Sequence, residues 1–201
     1  TTLYSLLNIL NQDKVNIVTL EDPVEYFLKG VNQSQVRPEV NFTFATGLRS
    51  LLRQDPDIMM FGEIRDNETA ELAVHASLTG HLVLSTLHTN DAIGAIPRLI
   101  DMKVEPFLLN SSLVLVVAQR LVRLSCTHCL VEEKISDDIL NHIQELLAKV
   151  PESVIKERLP NYIPQQITLK KGAGCAYCDQ TGYHSRTVLA EVLEINDEVR
   201  N

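Results

Sequence analysis

The chain has 201 residues, 45% hydrophobic and 22% charged, which suits one large domain or one domain with a small appendage and excludes a disordered chain. Trp is absent and aromatic residues make up only 5%, so aliphatic side chains must fill the core. The net charge of −8 weighs against nucleic-acid binding by phosphate neutralisation, although a local basic patch could override it, and the longest apolar run, Leu113 to Ala118, is far short of the roughly 18–20 residues that cross a bilayer.

Thr1 to Leu10 places Leu3, Leu6, Leu7 and Leu10 at helical spacing. Val15 to Leu20 reads as a buried strand that delivers Glu21-Asp22-Pro23 at its end. Phe27 to Phe44 reads as a loop with short extended pieces. Thr46 to Gln54 reads as a helix, with Arg49 and Arg53 spaced i, i+4. Ile58 to Phe61 is a second short strand running into Gly62-Glu63. A helix over Glu68 to Leu78 stops at Gly80, and His81 to Leu87 forms a third strand before His88-Thr89-Asn90-Asp91. Asn90 or Asp91 would cap a helix reaching about Met102, and Glu105 to Leu124 reads as a further, very apolar helix. Val131 to Pro164 is charged and amphipathic, with Ile139, Ile143, Leu146, Leu147 and Val150 on one helical face and Pro151 as the stop. Thr187 to Ile195 alternates as a strand does. Strands alternating with helices, each strand ending in polar residues, indicate an α/β sheet with its site at the strand C-termini.

Three clusters close those strands. Glu63 ends a hydrophobic strand, where nucleotide hydrolases fix a carboxylate beside a metal ion and water; Gly62 stands where many such motors have a metal-binding Asp. A core strand ending in a surface Glu explains Glu63 equally well. Glu21, Asp22 and Glu25 form a second acidic group, suited to a hard cation or to a solvated turn. His88 follows the third strand, where a γ-phosphate sensor would lie, with Thr86, Thr89 and Asn90 around it; a structural His is the rival reading.

Together the clusters resemble one family. Glu21-Asp22-Pro23-Val24-Glu25-Tyr26 is similar to the aspartate box of the type II secretion and type IV pilus assembly ATPases, and Leu52 through Ala92 resembles their Walker B and histidine-box segment. Val104 to Leu109 and Ala118 to Arg123 also match, and are closer to the type II secretion branch than to the pilus retraction branch. The resemblance implies a RecA-like P-loop NTPase core with an inserted tetracysteine zinc-binding subdomain, ATP hydrolysis with Mg²⁺, and a homo-hexamer acting on inner-membrane assembly platform proteins. By the same match, Glu63, Glu21, Glu25 and His88 are catalytic, while Asp22, Arg49, Arg53, Arg65, His81 and Arg186 meet the nucleotide. Thr1 to Ser5 resembles the residues just after the P-loop Lys, so a fragment that binds ATP poorly, ending before the family's last helices, is expected. Cytoplasmic residence, peripheral at the inner membrane through partners and without direct nucleic-acid contact, follows. A non-catalytic zinc-stabilised interaction module, or a related motor for DNA uptake or conjugation, are the alternatives.

Cys126, Cys129, Cys175 and Cys178 form two CxxC pairs, whose spacing suits a closed structural Zn²⁺ site; a redox dithiol or unligated core thiols are the rivals. The expected division is 1–125 for the ATPase core, 126–178 for the zinc subdomain and 179–201 for the return to the core.

Overall fold

The computed structural model describes residues 1–160 and 167–200. They form two compact units, residues 1–119 with 190–201 and residues 120–189.

The first unit is built on a four-stranded parallel sheet, in spatial order β2 (Asn32–Gln35), β1 (Ile17–Glu21), β3 (Ile58–Phe61), β4 (Leu82–Ser85). Every residue of β1 and β3 is buried, as expected of strands covered on both faces, whereas the edge strand β4 is partly exposed. The strand period of two sorts the core. Ile17, Ile58 and Met60 pack with Tyr4 and Leu7 of α1 (Thr2–Leu10) on one face. Val18, Leu20, Met59 and Phe61 pack with α2 (Phe44–Leu51) and α3 (Asn67–Leu78) on the other. A third cluster joins Ala70 and Val74 of α3 to Leu99 of α4 (Ala95–Asp101) and Leu109 of α5 (Pro106–Ser112).

Local chemistry sets the helix ends. The Thr43 side chain accepts from the Thr46 amide and the Thr46 hydroxyl answers the Thr43 amide, a reciprocal cap that starts α2. Asp66 caps α3 through the Thr69 amide at 2.8 Å, and Gly80, with φ of +100°, turns the chain after it. Asp91 does not cap α4 directly; its carboxylate accepts the Gly94 amide at 2.7 Å and shapes the preceding turn. In α1, Tyr4 and Leu7 are buried and Leu3 and Leu10 pack beside them, while Leu6 is exposed.

The expected helix over Glu105 to Leu124 is corrected: α5 ends at Ser112, and Leu115–Ser125 is an extended strand, β5. Asn110-Ser111-Ser112 weakens the helix, and the β-branched run after it pairs with β8 (Tyr183–Glu194). The strand expected at Thr187 is thus four residues longer at its start.

In the second unit, β6 (Leu130–Glu133) pairs antiparallel with β7 (Leu169–Gly172), and α6 (Asp137–Leu147) and α7 (Glu152–Arg158) lie between them in sequence. The first helix ends at Leu147, before the expected stop, so Val150 lies outside it, and Pro151 instead caps the start of the second. The end of the charged stretch, 161–164, lies outside the described residues. A last short helix, α8 (Asp197–Arg200), belongs to the first unit. Among the described residues 120–189, only Cys126, Cys178 and Gly182 are buried.

Candidate functional site

Parallel pairing brings the C-terminal ends of β1, β3 and β4 to one edge of the sheet. There a cleft of about 370 Å³ is lined by Glu21, Asp22, Glu25, Gly62, Glu63 and Thr86, with Thr1, Thr2 and Tyr4 of the α1 end and Gln119 of β5. The strands are tied at this edge: the Gly62 amide donates to the Leu20 carbonyl, the Ile64 amide to the Thr86 carbonyl, and the Thr86 hydroxyl to the Gly62 carbonyl.

The two strand-end carboxylates differ in setting. Glu21 is 3% exposed. Period-two alternation puts it on the face of Thr19 and α1, so Thr19 Oγ1 donates to its Oε1 at 2.6 Å and the Tyr4 hydroxyl donates to its Oε2. Gln33 Nε2 adds a third donor at 3.1 Å. Burial pushes the Tyr4 phenol above its usual range, and the Glu21 carboxylate adds to the effect.

Glu63 is 13% exposed at its side chain and faces the cleft. Its Oε2 accepts from Arg65 Nε at 2.5 Å and from His88 Nε2 at 2.9 Å. The Arg65 guanidinium holds this carboxyl below the usual carboxylate range, against the opposing effect of burial and with help from His88. Arg65 and His88 are themselves largely open, at 64% and 79%. Glu63 in turn raises the Arg65 pKa, and the Asp22 charge adds a smaller push in the same direction.

Other expected residues lie elsewhere. Arg49 pairs with Glu68 of α3, and Arg53 donates to the Arg49 carbonyl at 2.9 Å, so both engage the α2 and α3 exterior. His81 precedes β4, at the opposite sheet edge; its Nδ1 lies 2.8 Å from the Ala76 carbonyl and 3.1 Å from the Thr79 hydroxyl, at the end of α3. Arg186 is exposed on β8 in the second unit. Conversely, Tyr4, Thr19, Gln33 and Gln119 did not stand out in the sequence. Strand parity alone could have linked Thr19 to Glu21; Gln119 falls in the matching Ala118 to Arg123 segment, but nothing local ties it to the cleft.

The four cysteines converge in the second unit. Their sulfurs all lie within 4.8 Å of one another, and none forms a disulfide. Sulfur separations are 3.9 Å for Cys126–Cys175, 3.9 Å for Cys129–Cys178 and 3.7 Å for Cys175–Cys178. A zinc ion with Zn–S bonds of about 2.3 Å needs tetrahedral edges of about 3.8 Å, so the donor set fits that ion. Each pair sits on a short 3₁₀ turn, Thr127–Cys129 and Ala176–Cys178. Burial raises the Cys129 thiol to about 11. At Cys178 burial acts in the same sense, but the Cys175 and Gly182 amides, both 3.3 Å from its sulfur, together with the Cys175 and Cys129 thiols outweigh it and lower the thiol to about 7. The Gly172 and Gly182 backbones cross beneath the knuckle: a Cβ on Gly172 would stand 1.9 Å from the Gly182 carbonyl oxygen.

The family model described as "Type II/IV secretion system protein" matches residues 1–201. The chain belongs to the type II/IV secretion system protein family. Within it, type II secretion system protein E of Klebsiella pneumoniae is 50% identical over 200 residues, covering 100% of this chain and 37% of that protein. Type II secretion system ATPase E of Vibrio cholerae is 49% identical over 203 residues, with 100% and 37% coverage. The chain thus spans 37% of the length of these relatives. Among solved structures, the pilus retraction motor PilT with bound ADP matches with a TM-score of 0.56 and 34% identity, over 78% of this chain and 50% of PilT. The Legionella pneumophila ATPase DotB, at 23% identity and a TM-score of 0.59 over 99% of this chain and 42% of DotB, supports the α/β fold of this type II/IV secretion system protein.

Proposed function

We propose that this chain carries a RecA-like ATPase core of a motor subunit that powers protein secretion or pilus assembly across the bacterial envelope. The observation behind this reading is the pair of strand-end carboxylates, Glu21 and Glu63, on one cleft beside the N-terminal end of α1. The relative named as an ATPase and the ADP-bound retraction motor support the same activity.

The cleft residues fit Mg²⁺ and a nucleotide phosphate in type. Glu21, Asp22 and Glu25 offer the oxygen donors that a hard cation takes, and the α1 end, with Thr1 and Thr2, offers amide and hydroxyl donors to an anion. Bound ATP would supply the phosphoryl group that passes to water. Glu63 stays ionised because of Arg65 and can accept a proton or a hydrogen bond from a water molecule in the cleft. His88 orients Glu63 and is exposed enough to exchange that bond for a phosphate oxygen. Arg65 can make the same exchange bidentately. The nucleotide roles of Arg49, Arg53, His81 and Arg186 rest on the family resemblance alone.

In the second unit, Cys126, Cys129, Cys175 and Cys178 would hold Zn²⁺ as a closed structural site with no position open to substrate. The homo-hexameric ring, the docking on inner-membrane platform proteins and the cytoplasmic location are parts of the same proposal. Among the described residues no helix is long and apolar enough to cross a membrane.

The experiment is ATP hydrolysis by a polypeptide of the relatives' full length carrying this sequence, beside its Glu63→Gln variant. Hydrolysis in the first, with nucleotide binding kept and turnover reduced at least about a hundredfold in the second, is expected. Equal turnover would remove Glu63 from the mechanism. No hydrolysis by assembled rings would leave the interaction-module reading.

A further inference from the structure

The Glu21 carboxylate is held by more than its own strand. The Tyr4 hydroxyl donates to Glu21 Oε2 and at the same time accepts the Glu25 amide at 3.2 Å, and its ring lies 4.3 Å from that of Tyr26. One hydroxyl on α1 therefore fixes both ends of the acidic turn that carries Glu21, Asp22 and Glu25. From the other side Gln33 of β2 clamps the same segment. Its Nε2 donates to Glu21 Oε1 and to the Tyr26 carbonyl at 3.2 Å, and its Oε1 accepts the Leu28 amide at 2.6 Å. Thr19 completes the set at 2.6 Å. A carboxylate 3% exposed with three donors has little rotational freedom, and each donor is tied to a different element: α1, β1 and β2.

We infer that Tyr4 is a positioning residue for this site: its hydroxyl orients the Glu21 carboxylate and sets the acidic turn toward the cleft, with Thr19 and Gln33 closing the same cradle. Tyr4 meets α1 and the acidic turn at once, so it couples the helix whose N-terminal end lines the cleft to the residues that would hold the cation. A packing role alone would need the ring but not the hydroxyl. The hydroxyl is placed between one acceptor and one donor, which a ring filling space does not require. The inference rests on the ATPase reading above.

The test uses the same full-length polypeptide. Tyr4→Phe keeps the ring and removes only the two hydrogen bonds; Thr19→Val removes a different donor to the same carboxylate at nearly constant volume. One hydrogen bond to a charged group corresponds to about tenfold in rate. For Tyr4→Phe, kcat is expected to fall about tenfold, the Mg²⁺ concentration for half-maximal rate to rise severalfold, and the ATP KM to stay within about twofold. Thr19→Val should show the same pattern, smaller in size. A purely structural role would lower the melting temperature and the assembled fraction while leaving kcat per assembled ring and the Mg²⁺ dependence unchanged; that result would overturn the inference. Should Tyr4→Phe not fold, Thr19→Val alone decides it, since unchanged kcat and Mg²⁺ dependence there would show that the cradle does not position Glu21. If the unmodified protein hydrolyses ATP and Glu63→Gln does not, but Tyr4→Phe and Thr19→Val behave as the unmodified protein, only this inference fails. If the unmodified protein does not hydrolyse ATP, the ATPase reading fails, and this inference with it.

Discussion

The two units hold themselves together by different means. In the first, β1 and β3 are buried on both faces, and side chains such as Leu7, Leu20, Leu48 and Phe61 are completely removed from water. In the second, the buried residues among those described are two thiols and a glycine, while Ile139, Leu146, Val154 and Leu169 are exposed. A unit with so little apolar burial lacks the term that ordinarily offsets chain entropy. The lesson is that one chain can rely on the hydrophobic effect in one part while another part, with little apolar burial, gathers four thiols instead. With the proposed zinc bound, the four converging sulfurs and the Gly172–Gly182 crossing would do in the second unit what aliphatic packing does in the first.

The sharpest way to break this comparison is to remove the proposed zinc. Chelation at neutral pH should release about one Zn²⁺ per chain, and amide hydrogen exchange should then rise across residues 120–189 while β1 and β3 stay protected. Retained protection in 120–189 after verified metal loss would show that the unit has another source of stability. Gly172→Ala should act at the same place even with metal present, because the added Cβ collides with backbone, which cannot step aside; a variant that still binds metal and melts normally would contradict the crossing.

Smaller effects sharpen the contrast. Phe61→Ala should destabilise the first unit by about 3–5 kcal/mol in denaturant titration. Leu146→Ala, at a half-exposed position of α6, should change the melting of the second unit very little. Gly47→Ala should cost about 1–3 kcal/mol, since a Cβ there comes within 2.8 and 2.9 Å of the Leu20 methyl carbons, which can partly give way. The smallest effect is expected for Lys171→Ala. It breaks the exposed pair with Glu133 at 2.8 Å, and thermal melting should not resolve the difference.

Much of the first unit was readable in advance because its signals are local. Apolar runs that stop at acids marked β1 and β3, and helical spacing with a Gly stop marked α3. The stretch after Glu105 differs from the expected helix because an apolar run without clear period does not distinguish helix from strand; the partner β8, far along the chain, decided it. The same limit applies to the site. Glu63 and His88 were separately visible as strand-end residues, but their 2.9 Å contact exists only because β3 and β4 pair in parallel register. By contrast, His81 was legible as the first residue of a strand, hence away from the strand-end carboxylates, and only its contact with the Ala76 carbonyl depends on how α3 ends.

What the sequence determined by itself, then, is whatever depends on spacing along the chain: strand and helix periods, the acids at strand ends, and two CxxC knuckles that can each present a pair of sulfurs. Tertiary structure alone decided which of those groups meet. It paired Tyr4 with Glu21 through the packing of α1 on one face of the sheet, sent Arg49 to Glu68 instead of the cleft, and brought sulfurs from both knuckles to within 4.8 Å. The physical reason is that hydrogen bonds and metal ligation act over a few ångströms, and only the packing of distant segments sets distances on that scale.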